Sequence, residues 1–263
     1  MAALLEAKGL HKRFGSVVAA NGFDVAVNDH EVIGIIGANG AGKTTFVNMV
    51  TGYVTPDAGR IFYAGRDITD LRPRQVTRIG ISRSFQIPQV FLSATVLDNL
   101  LIAVGLARGE LLRVWRPLRR PELVAEAQAR LDRYRIGEYA DQKAVLLPQG
   151  IRKLLDIAMA VVNQPRLLLL DEPTSGVSME EKFGIMDIVM GALKEEHVTV
   201  LFVEHDMEII QRYGQRVLAF YDGGIISDGT PDEVLADEQV QKLVTGEVLH
   251  KAVHGGPARG AHA

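Results

Sequence analysis

The chain has 263 residues, 47% of them hydrophobic and 23% charged, which is the composition of a globular protein with a sizeable core. A net charge of -3 gives no overall basic field for nucleic acid, and the absence of cysteine excludes disulfides, thiolate metal sites and cysteine nucleophiles. The N-terminal apolar run is too short for a signal peptide. The longest apolar run, residues 100–107, is far below the roughly 20 residues that span a membrane, so we expect a soluble chain.

The first predicted elements surround a glycine-rich loop. Residues 17–36 indicate two strands around a turn at Asn28 and Asp29, and the second strand, 32–36, is apolar on both faces, as buried parallel strands are. The glycine-rich loop and a helix follow. A turn at 57–59 then precedes a short strand with the sequence IFYAGRDI.

The middle of the chain, residues 90–141, has helical character. Its clearest helix starts at Pro121, which suits a first turn, and carries apolar residues at helical spacing: Leu123, Ala127, Leu131 and Tyr134. Residues 147–158, LPQGIRKLLDIA, form a further amphipathic pattern, with Pro and Gly where that helix should begin. Because the free N–H groups of a helix N-terminus bind anions, this start is a candidate phosphate contact.

Two further buried strands complete the pattern. They have the sequences RLLLLDEP (166–173) and VTVLFVEH (198–205), with a helix over 183–197 between them. This alternation of strands and helices predicts a parallel sheet covered on both faces. The last residues, 247–263, have little to bury, and we expect them to form a disordered tail.

The strongest functional signal is GANGAGKT, residues 37–44, which fits the pattern G-x-x-x-x-G-K-[ST] directly after a buried strand. Its glycines let backbone N–H groups wrap around phosphate oxygens. We expect Lys43 to reach the outer phosphates and the Thr44 hydroxyl to bind Mg²⁺. The glycines do not form G-x-G-x-x-G, which disfavours a Rossmann dinucleotide site.

Acidic and imidazole side chains end the two later strands, at the sheet edge where open α/β folds bind ligands. Asp171 is predicted to hold Mg²⁺ through water, and Glu172 to orient and polarise an attacking water. His205 is placed to donate a hydrogen bond to a γ-phosphate. Taken singly, an Asp-Glu pair can simply terminate a strand and a lone histidine is usually structural, but the phosphate loop favours the functional interpretation.

These motifs, in this order, resemble the ATP-binding subunits of ABC transporters, and the resemblance covers nearly the whole chain. It implies an α/β fold: a P-loop NTPase core with an antiparallel β subdomain and an inserted α-helical subdomain at about 88–160, all within residues 1–246. Within that family, residues 37–44 resemble the Walker A motif and LLLLDE the Walker B motif. Gln86 resembles the Q-loop glutamine and His205 the switch histidine.

The resemblance also implies individual roles. Lys43, Glu172 and His205 are the expected catalytic residues, and Thr44, Gln86 and Asp171 the expected Mg²⁺ site. The expected ATP contacts are Phe14, Gly37, Ala38, Asn39, Gly40, Ala41, Gly42, Lys43, Thr44, Thr45 and Gln86. Phe14 fits the aromatic position that stacks on adenine, the alternative being a core phenylalanine.

LPQGIRKLLDIA occupies the place of the family's LSGGQ signature, whose helix N-terminus caps the γ-phosphate bound to the opposite subunit of a head-to-tail dimer. Pro148, Gln149 and Gly150 are therefore the expected contacts in trans. Pro148 stands in place of the family's Ser and Ile151 in place of its closing Gln, while the helix dipole is retained. Ser178 also replaces the usual Asp of the D-loop. These departures lead to the hypothesis of two unequal ATP sites in a heterodimer.

The stretches SRSFQIPQVFLSATVLDNLLIA, VEHDM and SDGTPDEV are most similar to the ATPases of branched-chain amino acid transporters. The implied function is ATP hydrolysis that powers an importer of branched-chain or other small amino acids. The implied partners are a second ATPase subunit, membrane permease subunits and, indirectly, a solute-binding protein, on the cytoplasmic face of the inner membrane. The alternatives are a urea-type importer, a lipopolysaccharide exporter ATPase or a soluble non-transport ABC ATPase. The Arg-rich segment 107–121 fits contact with a membrane subunit or anionic lipid, or else a solvated basic face.

Overall fold

The computed structural model describes residues 3–109 and 117–246. The strands in these ranges are β1 (Leu5–Phe14), β2 (Val17–Val27), β3 (Val32–Gly37), β4 (Ala58–Tyr63), β5 (Arg66–Asp67), β6 (Ile81–Ser84), β7 (Leu167–Asp171), β8 (Thr199–Val203), β9 (Arg216–Tyr221) and β10 (Gly224–Gly229). The helices are α1 (Lys43–Val50), α2 (Pro73–Arg78), α3 (Val96–Ala107), α4 (Pro121–Arg133), α5 (Gln149–Ala160), α6 (Met179–Glu195), α7 (Met207–Tyr213), α8 (Pro231–Ala236) and α9 (Glu238–Val240). Short 3-10 turns lie at Gly137–Tyr139 and Ala144–Leu146, and a π-helical turn at Gln241–Thr245 follows α9.

The central sheet has six strands in the order β10-β9-β3-β8-β7-β6. Strands β9, β3, β8, β7 and β6 run parallel, and β10 pairs antiparallel with β9 at one edge. Every residue of β7 and β8 is buried, as expected for strands covered on both faces. In β7, Leu168 and Leu170 face one hydrophobic core, while Leu167 and Leu169 face the other. The predicted parallel sheet is confirmed.

An antiparallel sheet, in the order β2-β1-β4-β5, covers one face of the central sheet together with α1. Aromatic edge-to-face contacts join the layers: the ring centroid of Phe23 lies 5.8 Å from that of Phe46 and 5.4 Å from that of Phe220. This packing fixes β2 beside the loop between β3 and α1. The predicted fold class, an α/β core with an antiparallel β subdomain, is confirmed.

Helices α3, α4 and α5 pack on one another on the other side of the molecule, around buried side chains such as Leu100, Leu131 and Tyr134. The helix predicted from the amphipathic pattern of 147–158 is confirmed as α5. The boundaries of the helical subdomain, about 88–160, stay a prediction. Part of the Arg-rich segment and the tail at 247–263 lie outside the described residues.

Two local predictions differ from the structure, and strand β1 has no predicted counterpart. The segment IFYAGRDI is not one strand, because a turn at Ala64 and Gly65, both with positive φ, separates β4 from β5. Strand β1 was not predicted, since Gly9 interrupts its alternation and the pairing register shifts there. The turn between β2 and β3 lies one residue later, at Asp29 and His30, and its two strands enter different sheets.

Among the helices in the described ranges, none combines the length and apolar character needed to cross a membrane.

Candidate nucleotide-binding site

The glycine-rich loop leaves β3 and enters α1 through backbone conformations that only glycine tolerates well. Gly42 has φ 106°, and a Cβ there would lie 2.4 Å from the carbonyl oxygen of Ala19 in β2. The first intrahelical bond of α1 runs from the Phe46 N–H to the Gly42 carbonyl. The preceding N–H groups of Lys43, Thr44 and Thr45 therefore lie at an open helix start. Such a loop presents N–H groups to a phosphate, as predicted from its sequence.

Lys43 is held inside this loop. Its ammonium donates to the carbonyl oxygens of Gly37, at 2.5 Å, and Ala38, at 3.0 Å. Burial lowers the pKa of the Lys43 ammonium, while the carboxylates of Glu172 and Asp171 act in the opposite direction. These two bonds hold the Lys43 ammonium against the loop whose N–H groups face a phosphate.

The Glu172 carboxylate lies between Gln86, a predicted ATP and Mg²⁺ contact, and His205, the predicted γ-phosphate contact. Gln86 Nε2 donates to Glu172 Oε2 at 2.6 Å, and His205 Nε2 lies 3.1 Å from Glu172 Oε1. Glu172 itself has φ 48°, a left-handed conformation that is costly for a residue with a side chain. The structure therefore brings Gln86, Glu172 and His205 together at the carboxyl edge of the sheet, in an arrangement that can orient and deprotonate a water molecule.

Asp171, at the end of β7, has a partner that sequence reasoning missed. Arg83 of β6 donates to Asp171 Oδ2 at 2.5 Å and to Asn48 Oδ1 of α1, also at 2.5 Å. The guanidinium carbon lies 4.9 Å from the centroid of the Phe85 ring. Both side chains of the Arg83–Asp171 pair are buried. The sequence signal that could have revealed this partner is an arginine inside a short strand of the central sheet.

The predicted Mg²⁺ site has the donor chemistry that this ion uses. Thr44 is exposed at the start of α1, Asp171 supplies a carboxylate, and Gln86 has an amide oxygen free of the bond that its nitrogen makes to Glu172. The described residues contain no group of three or more acidic, His or Cys side chains arranged to hold a metal. Mg²⁺ typically uses one or two carboxylates together with hydroxyls, waters and substrate phosphates, so the residues fit the ion.

The signature segment has the predicted helix start. Helix α5 begins at Gln149, directly after Pro148, and its first bond to the preceding turn runs from the Arg152 N–H to the Pro148 carbonyl. The N–H groups of Gln149, Gly150 and Ile151 therefore precede that bond. A Cβ on Gly150 would lie 2.5 Å from Ile185 Cδ1, so α5 packs closely on α6 at this point.

Two other predicted residues lie at exposed positions. Phe14 ends β1 with half of its surface exposed, and the Lys12 ammonium lies 5.6 Å from its ring centroid. The ring is therefore not a core residue, which leaves it accessible for stacking. Ser178 is exposed and precedes α6, where its hydroxyl donates to Glu181 Oε2 at 2.8 Å.

Comparison with known proteins identifies the family. The family model for ABC transporters matches residues 20–175, more than half of the chain. The chain belongs to the ABC transporter family. Its relatives include the high-affinity branched-chain amino acid transport ATP-binding protein BraF of Pseudomonas aeruginosa, 34% identical over 250 residues, covering 93% of this chain and 98% of BraF. The corresponding protein LivG of Escherichia coli is 32% identical, with the same coverage.

Solved structures agree with this assignment. The ATP-binding cassette of an ABC transporter superposes with a TM-score of 0.81 at 30% identity, covering 92% of this chain and 99% of that one. The ADP conformation of such a cassette superposes with a TM-score of 0.80 at 31% identity, covering 92% and 98%. This ABC chain is therefore an ATP-binding and ATP-hydrolysing subunit.

Proposed function

We propose that this ABC subunit hydrolyses ATP to power an importer of branched-chain or other small amino acids. The observation that carries the proposal is the arrangement of Glu172 between Gln86 and His205, next to the Lys43 loop, in a chain that matches BraF and LivG over 93% of its length. The subunit acts on the cytoplasmic face of the inner (plasma) membrane, where it is bound to permease subunits. A solute-binding protein delivers the amino acid to those permease subunits.

The reaction is attack of water on the γ-phosphorus, with ADP as the leaving group. The Lys43 ammonium and the N–H groups at the start of α1 bind the phosphate oxygens. Glu172 accepts the proton of the attacking water, and His205 donates a hydrogen bond to the γ-phosphate. Thr44, Gln86 and Asp171 would hold Mg²⁺, which stabilises negative charge on the phosphates when bound.

The signature end of α5 supports pairing with a second ATPase subunit. The N–H groups of Gln149 and Gly150 and the helix dipole favour an anion even without the Ser hydroxyl that Pro148 lacks. With Pro148, Ile151 and Ser178 at positions where the family has other residues, the site that this chain completes for its partner is the weaker of two. Equal turnover at both sites of a purified transporter would contradict this inequality.

An apolar surface beside Gln86 fits the permease. It consists of exposed side chains on the Q-loop and the neighbouring turns: Ile87, Phe91, Leu92, Val145 and Leu146. The Val145 N–H donates to the Leu92 carbonyl at 3.0 Å, so the two segments are contiguous. A cleft of about 400 Å³ continues the surface to Gln149 and Ser175. Exposed apolar patches of this kind mark protein interfaces, and movement of a permease here would reach Gln86 directly.

Purification of the tagged full chain from solubilised native membranes tests the proposal. We expect a second ATPase subunit, two permease subunits and a solute-binding protein that retains leucine or a similar amino acid. Co-purification of a urea-type or lipopolysaccharide system would contradict the solute assignment. Ribosomes or DNA without permease subunits would contradict the transport assignment, while leaving the ATPase site unaffected.

A further inference from the structure

Lys153 is a fully buried cation on α5, one turn after the signature residues. Its neighbours Leu154, Leu155 and Ile157 are apolar and equally buried, so an apolar side chain would suit the position for packing alone. Burying an ammonium is costly unless hydrogen bonds compensate for the lost water. The acceptors that Lys153 uses therefore indicate what the charge is for.

Both of those acceptors belong to the ATPase machinery. The Lys153 ammonium donates to the backbone carbonyl of Gln86 and to the backbone carbonyl of Glu172, the second at 3.1 Å. The Glu172 N–H donates to the Val203 carbonyl at 3.0 Å. The strained, left-handed Glu172 is thus tied on both sides of its backbone, from β8 and from α5.

Asp156, one turn further along α5, secures the same loop. Its carboxylate accepts from Ser84 Oγ and from the Gln89 N–H, both at 2.7 Å. Helix α5 therefore holds the chain before and after Gln86 as well as Gln86 itself. Lys153 joins the backbone of the Gln86 loop to the backbone of Glu172, in addition to the direct bond between the Gln86 and Glu172 side chains.

We propose that Lys153 is a positioning residue for ATP hydrolysis: it holds the backbone of Glu172 so that the carboxylate lies between Gln86 and His205. The inference rests on the proposed role of Glu172 as the base. Since Lys153 touches backbone oxygens and not the phosphate loop, its loss should lower the rate of the chemical step with little effect on ATP affinity. A purely structural role would instead lower stability and affinity together.

The test compares Lys153→Met, which cannot donate, with Lys153→Arg, which can, in the transporter assembly purified through the tagged full chain. The exposed Lys194→Met serves as the control. We expect Lys153→Met to reduce kcat at least tenfold while the Kd for a fluorescent ATP analogue changes less than twofold. Lys153→Arg should recover much of the rate. If Lys153→Met does not fold, Lys153→Gln, which keeps one donor group, is measured in its place. The inference then predicts a lower kcat and an unchanged Kd for this variant.

The inference is overturned if the apolar variant keeps kcat within twofold of wild type, or if kcat and affinity fall in step with the melting temperature. An assembly whose wild-type chain binds ATP but does not hydrolyse it would refute the proposed function, and the positioning role with it. An active wild type with an unaffected Lys153→Met variant would refute the positioning role alone.

Discussion

Replacement of Glu172 by Gln isolates the base from the rest of the site. The amide keeps the size of the side chain, so it can still accept from Gln86 Nε2 with its oxygen and present its nitrogen to His205. The binding atoms of the Lys43 loop are unchanged. Loss of a general base typically costs 10² to 10⁴ in rate, or about 3–5 kcal/mol, and we expect kcat to fall by about that factor.

Binding should respond in the opposite direction. Glu172 is the carboxylate with the larger influence on Lys43, so removing its negative charge reduces repulsion of an incoming polyphosphate. We therefore expect ATP to bind as tightly as to wild type or several-fold more tightly. Stopped-flow binding of a fluorescent ATP analogue and single-turnover phosphate release measure the two quantities. The exposed Glu138→Gln is the matched control.

Two results would refute this reasoning. If the Glu172→Gln variant retained more than about a third of wild-type turnover, Glu172 would not be the base, because a base contributes far more than threefold. If the variant lost ATP binding, the carboxylate would be part of the binding site, and its bonds to Gln86 and His205 would serve another purpose.

Three further substitutions have defined outcomes. Arg83→Met leaves the buried Asp171 carboxylate without its cation, so a urea titration should show a free energy of unfolding lower by about 3 kcal/mol. A Mg²⁺ titration of nucleotide binding should show a several-fold lower half-saturation concentration of Mg²⁺. An unchanged Mg²⁺ requirement contradicts this. Gly42→Ala puts a Cβ against a backbone oxygen, and nucleotide binding measured by fluorescence should fall at least tenfold; normal binding would show that the loop adapts. Burial raises the pKa of Glu204, which accepts from Thr174, so its contribution to stability is lost as pH rises above about 4.5. Urea melts from pH 4 upwards should therefore show wild type losing stability relative to Glu204→Gln once the pH passes about 4.5, and parallel curves would contradict the raised pKa.

The sequence was informative where a function depends on a local pattern. The loop at 37–44 combines glycine, lysine and a preceding buried strand within a few residues, and the Asp171–Glu172 pair ends a strand of four leucines. Both signals depend only on neighbours along the chain, so the sequence alone is enough to place both elements. The start of α5 was found in the same way, from a Pro and Gly before an amphipathic pattern.

Contacts between distant segments could not be predicted in that way. The bond from Gln86 to Glu172 joins residues 86 positions apart, and Arg83 reaches Asp171 across two neighbouring strands. Lys153 is a charged residue within the amphipathic segment 147–158, and yet it is fully buried. Register and helix rotation decide which side chains turn inwards, and neither follows from spacing alone.

The central claim, that this chain couples ATP hydrolysis to amino acid import, is tested most directly by transport itself. The membrane assembly purified through this chain is reconstituted in vesicles with ATP on the side of the ATPase subunits, and movement of labelled leucine is followed with its binding protein present. The account predicts ATP-dependent leucine transport that Glu172→Gln abolishes. ATP hydrolysis without leucine movement, or transport that survives Glu172→Gln, would contradict it.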